Sequence, residues 1–204
     1  MKLTIKSKLF GGYIIILMLL ISMLFFMINK FSESNDRLQN IVEVYSKKIN
    51  LSNELMIAVL NAARNEKDII LEKDIIQKDY SKDKIYRALD VIDKKTTELQ
   101  ELVDEKGKII LDEFKTTYAG YKIHLNAIIS LAMKNKNEEA FAISIESGLK
   151  ARDTAVGQLQ RIIDKNEKSM ENAKIENNAS YNSALSLIIA LIIASILIAI
   201  IISY

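Results

Sequence analysis

Two long apolar runs bracket the chain, and between them apolar residues recur in steps of three and four. From Leu9 to Asn29 no residue is charged, a run of 21, and from Asn177 to Tyr204 none is charged over 28. About 20 apolar residues in helical form cross the hydrocarbon core of a bilayer. FGGYIIILMLLISMLFFMI and ALSLIIALIIASILIAIIIS therefore read as membrane spans, assigned to residues 9–29 and 184–204. The first run is longer than the apolar core of a secretory signal. It ends in Phe25, Phe26, Met27, Ile28, Asn29, Lys30, Phe31, with no small-x-small cleavage site, so it reads as an uncleaved anchor.

The segment between the spans carries four helical stripes. Leu38, Val42, Tyr45, Ile49, Ser52, Met56, Val59, Ala63, Glu66 and Ile70 follow alternating steps of four and three. Ile85, Leu89, Ile92, Thr96, Leu99 and Val103 continue the pattern, as do Ile110, Phe114, Thr117, Tyr121, His124, Ile128 and Leu131. Leu149, Val156, Ile163 and Met170 recur every seven residues, with Leu159 between them. An average step of 3.5 keeps one stripe on one side of a long helix, as bundles require.

Polar breaks separate the stripes. Residues 78–83 contain Ser81 as an N-cap; 104–108 contain Gly107, suited to the left-handed position that closes a helix. Residues 134–137 end in Asn137 as a cap, with Glu138 and Glu139 favouring the positive start of the next helix. Ser147 and Gly148 mark a bend between a short helix at 138–146 and a long one after it. Short connections make successive helices antiparallel neighbours. The expected fold is all-α: an up-down-up-down four-helix bundle over 30–183, its first and last helices continuous with the spans. At 1.5 Å per residue the first helix, 30–78, extends roughly 70 Å and the fourth, 149–183, roughly 50 Å.

Charge sets the orientation. Lys2, Lys6 and Lys8 lie in the tail 1–8 with no acidic residue among them. This places the N-terminus in the cytoplasm and 30–183 outside. Tyr13 and Tyr181 suit the membrane interfaces. The middle segment carries 25 basic and 26 acidic residues, no footprint for nucleic acid. With no cysteine, packing alone must hold the outer domain together. One histidine cannot supply a di-iron bundle's two Glu-x-x-His pairs. Gly107-Lys108 lacks the flanks of a phosphate loop, and there is no cysteine nucleophile or His-Glu-x-x-His. Neither catalysis, a metal nor a cofactor is expected.

Six residues are candidates for chemistry. Glu66 falls on an apolar stripe, where a charge is costly unless paired; a lysine or arginine from a neighbouring helix is its expected partner. His124, beside Tyr121 on a stripe, suits a ligand contact or a pH sensor, although a hydrogen-bonded packing role is commoner for a lone histidine. Asn61, Arg64, Asn65 and Asp68 form a polar patch on the first helix, the candidate ligand-binding set. Arg64 and Asp68 stand at i, i+4, an ordinary surface pair.

The opening MKLTIKSKLFGGYIIILMLLI, the stretch NELMIAVLNAARNEKDIIL, the third-helix pattern LDEFKTTYAGYKIHLNAIISLAMKNKNEEAFAIS and the closing LQRIIDKNEKSMENAKIENNASYNSA can be taken together. The chain resembles the extracytoplasmic four-helix-bundle sensor module of bacterial methyl-accepting chemotaxis receptors. The resemblance implies a homodimer in the bacterial cytoplasmic membrane that senses a small molecule or a periplasmic partner. It also implies that the last helix relays the stimulus through the second span to a HAMP domain. Anion-binding receptors of that family use arginines on bundle helices; only Arg64 stands in such a place, so no ligand is carried over. Ligand contact is expected near 61–78 and 128–150. The sequence stops at Tyr204, which leaves open a receptor's sensory half, a stand-alone accessory membrane protein that binds a partner, or the sensor half of a histidine kinase.

Overall fold

A computed structural model describes residues 5–203, with side chains over 10–201, and this stretch is helical with short breaks and no strands. Of the basic tail 1–8, Lys2 and the side chains of Lys6 and Lys8 lie outside the described residues. Helix α1 spans Ile5–Gln39 and passes through a π-helical segment, Asn40–Ser46, into α2, Lys47–Leu71. Helices α3 (Ile75–Gln100), α4 (Glu105–Met133) and α5 (Asn137–Ile143) follow. A second π-helical segment, Ser144–Gly148, then leads into α6, Leu149–Ser203.

The residues separate into two compact units. Glu43–Ser169 form the bundle of α2, α3, α4 and the first part of α6. Its core is built by Leu55, Val59, Ile85, Ile92, Leu99, Phe114, Leu125, Ile128 and Leu159, all fully buried. Ion pairs tie neighbouring helices: Lys95 to Glu54 at 2.9 Å, Lys122 to Asp93 at 2.9 Å, and Arg161 to Glu113 at 2.6 Å. In the other unit, residues 5–42 lie with residues 170–203, and Ser34 Oγ donates to Asn177 Oδ1 at 3.0 Å.

The first turn of the bundle lies earlier than 78–83. α2 ends at Leu71, and Asp74 caps α3 by accepting from the Ile76 N–H at 2.9 Å. Ser81 is not a cap; it is buried within α3. Lys78 is fully buried too, because its ammonium finds three acceptors where α4 ends and α5 begins. Nζ donates to the Ala132 carbonyl at 2.6 Å, Asn137 Oδ1 at 2.9 Å and Asn135 Oδ1 at 3.0 Å. Asn137 therefore serves Lys78 instead of capping α5, whose N-cap position is Lys136. Glu138 and Glu139 do occupy the first turn of α5.

Gly107 is not a left-handed helix terminus; Asn135, at φ 60°, is the positive-φ residue of the turn at 134–136. Gly107 sits in the first turn of α4, where a Cβ would lie 2.9 Å from Val103 Cβ and 3.1 Å from Asp104 Oδ1. The close approach lets Asp104 cap α4 through the Gly107 N–H at 2.8 Å while holding Lys165 Nζ at 2.6 Å. The Lys165 hydrogen bond, aided by that N–H, holds the Asp104 carboxyl below its usual range.

The stripes are wider than a two-helix seam because each bundle helix faces two neighbours. On α2, Leu51, Leu55, Ala58, Ala62 and Ile69 are buried beside the expected Ser52, Val59, Ala63, Glu66 and Ile70. Leu38 and Val42, expected on the stripe, are exposed, and Ile41 is buried instead. The π segment Asn40–Ser46 follows an i→i+5 pattern, which shifts the stripe's register across it. In the part of α6 that belongs to the bundle the buried residues are Ala155, Leu159, Ile162, Ile163 and Asn166; Leu149 is exposed. Where a bend was expected at Ser147 and Gly148, the helix runs on from α5 into α6 through the second π segment.

Candidate functional site

A second polar cluster within the bundle core surrounds Glu66. The period of α2 puts this side chain on the buried face, and it is 4% exposed. Tyr121, fully buried on α4, donates its hydroxyl to Glu66 Oε2 at 3.0 Å. Ser144, the first residue of the second π segment, donates to Oε1 at 2.5 Å. The expected lysine or arginine partner is not there. Among the described residues no basic side chain comes within ion-pair distance of Glu66, and two hydroxyls hold it instead. Ser144 stands four residues after the buried Ala140, so the period of α5 carries it to the core as a donor.

His124 lies one turn along from Tyr121 and is half-buried, its Nδ1 3.2 Å from Ser147 Oγ. Both serines of the π segment thus bond to polar groups facing the same stretch of helix. A cavity of about 350 Å³ opens beside Glu66. Ile70, Leu71, Phe141, Ile145 and Leu149 form its apolar walls, and Arg152 and Lys67 supply its cationic groups. Arg152 is engaged by Asp153 at 2.7 Å.

Burial first, and then the neighbouring Glu66 carboxylate, push the Tyr121 phenol far above its ordinary range, so it remains a donor. Burial likewise raises Tyr118, whose hydroxyl faces the Leu89 carbonyl at 3.4 Å. The unfolded chain ionises these phenols near the ordinary value of 10.0, whereas the folded chain resists. The stability they contribute is complete below that pH and falls as pH rises past it. Thermal melts by circular dichroism from about pH 8 to 11 should show a steep loss above 10. Tyr118→Phe should flatten that slope; a Tm independent of alkaline pH would contradict this.

The polar patch on the first helix splits. Asn61 and Asn65 flank an open groove between α2 and α3 that also holds Lys84 and Arg87. Asn65 Nδ2 donates to the Asn61 carbonyl at 2.7 Å. Arg64 and Asp68 are exposed and make no ion pair with each other. None of the four lines the Glu66 cavity. Sequence periodicity flagged Glu66, Tyr121 and His124, but Ser144 and Arg152 carried no signal of their own. No group of three or more histidine, cysteine or acidic residues suited to a metal occurs among the described residues.

The apolar ends keep their side chains outward: Phe10, Phe25, Ile193 and Ile201 are all exposed. The helical stretches containing them reach mean hydropathies of 2.6 and 3.2, long and apolar enough to cross a membrane. The family follows from comparison: residues 2–181 match the four helix bundle sensory module for signal transduction, and the chain belongs to that family. A comparison with curated proteins gave no match.

Proposed function

We propose that the chain is the sensory and membrane-anchoring part of a chemoreceptor-like transducer in the bacterial cytoplasmic membrane. Its N-terminus lies in the cytoplasm, residues 30–183 lie outside, and two copies pair. It works by binding, without catalysis or a cofactor. The observation that carries this reading is α6. One helix, Leu149–Ser203, begins at the cavity wall and contains the second apolar run. A stimulus that favours one position of its first turns biases the whole helix between two states, and the second span carries the difference inward. Exposed Ile57 and Leu60 on α2 give a second copy an aliphatic surface to cover.

The chain has no cysteine, so single substitutions report topology cleanly. Lys94→Cys should react with an impermeant maleimide on intact cells; protection of that site would contradict the orientation. With a kinase-controlling cytoplasmic region fused after Tyr204, insertion of one to four alanines after Asn172 should alter output with helical phase. Output unaffected by every insertion would overturn the relay.

A further inference from the structure

The cavity beside Glu66 is built for a particular kind of guest. Glu66, one of its lining residues, is 4% exposed and has no basic side chain within ion-pair distance among the described residues. Ser144 and Tyr121 each fill one acceptor position, and a carboxylate offers about four, so two remain. A buried carboxylate that hydroxyls hold but no cation touches directly is costly. A protonated amine would supply both the charge and the donors that are missing. The walls are hydrocarbon, and the half-exposed Phe141 ring offers an aromatic face. About 350 Å³ is near the lower end of small-molecule pockets, so the guest is small.

We infer that this cavity, formed by one protomer alone, binds a small monoamine with an apolar body, its ammonium on Glu66 and its hydrocarbon against Ile70, Ile145 and Leu149. Arg152 and Lys67 set the polarity. Glu66 is the one acidic residue of the lining, so a second ammonium would meet these cations with no acid of its own, which disfavours diamines, while a carboxylate on the guest is tolerated. The amine shares Glu66 with Ser144, the first residue of the π segment that starts the run into α6. Occupancy is thereby felt where the proposed relay begins. The binding site stands on the cavity itself; only its signalling consequence rests on the sensor reading.

The test uses the full chain in lipid nanodiscs and titration calorimetry with phenylethylamine, butylamine, putrescine, phenylalanine and phenylacetate. Saturable binding of phenylethylamine and butylamine is expected, with putrescine and phenylacetate at least about tenfold weaker. Phenylalanine binding comparably would identify amino acids as one source of the amine; its exclusion would restrict the site to simple amines. Glu66→Gln keeps the size and can still accept from a hydroxyl, yet should weaken amine binding at least about tenfold. Ile145→Trp, at a half-exposed wall position, should abolish binding without a large change in Tm, and decides the matter if the glutamine variant folds poorly. No amine binding by the wild-type chain, or full affinity in either variant, overturns the assignment. A kinase fusion that answers to other compounds while amines fail to bind removes the site and leaves the sensor reading. Amine binding with no change in output does the reverse.

Discussion

Replacing Lys78 by methionine is expected to lower the stability of the bundle by about 2–4 kcal/mol, although only one polar head is removed. Hydrogen bonds from a charged donor contribute about 1.5–3 kcal/mol each, and the desolvation of the ammonium offsets part of the total. The three acceptors left behind are the Ala132 carbonyl and the side chains of Asn135 and Asn137. Methionine keeps the length of the stem, so the loss reports the pins and not a void. The pins join α3 to the turn that carries Asn135 at φ 60°, a conformation a non-glycine residue rarely adopts. Hydrogen exchange should therefore rise most at 133–137. A Tm equal to wild type and unchanged exchange there would show that the turn holds itself.

Phe114→Ala should cost about 3–5 kcal/mol, the range for deleting a buried phenylalanine ring. Phe114 is fully buried in α4 and stacks on Tyr118, with ring centroids 5.8 Å apart and planes 3° from parallel. The cavity left behind would border the ring that Tyr118 needs as a neighbour, so near-ultraviolet circular dichroism should weaken with Tm. Phe114→Leu, which keeps most of the volume, should lose only a fraction of that. Equal losses in the two variants would mean that the ring itself, not the filled volume, is what matters.

The helices were legible because α3 and α4 bury the residues their periodicity selects: Ile85, Leu89, Ile92, Leu99, Phe114, Tyr121 and Ile128. The first turn was not, because hydrogen-bonding chemistry overrode polarity. A stretch containing Lys78 and Ser81 reads as solvent-facing until Asn135 and Asn137, more than fifty residues away, are known to stand opposite it. The π segments escaped notice for a different reason. A helix that widens for a few residues keeps helical composition on either side, and only the changed register betrays it, as at Leu38, Ile41 and Val42. The candidate site was half visible. Glu66 is conspicuous as a charge on an apolar stripe, but its partners are ordinary hydroxyls, and no spacing rule singles out Ser144 from the other serines.

The stretch Ser144–Gly148 also has an implication for lineage. A π turn is the form a helix takes when it accommodates one residue more than α geometry allows. Removal of a single codon after Ser144 would restore the ordinary hydrogen-bonding ladder and rotate Leu149 and Arg152 relative to Glu66 and Ser144. Among descendants of this gene, a one-codon change in length here would remodel the pocket at a stroke, where many point substitutions along its walls would only reshape it. Insertions and deletions in this short stretch are thus the natural switch for gaining or losing the site.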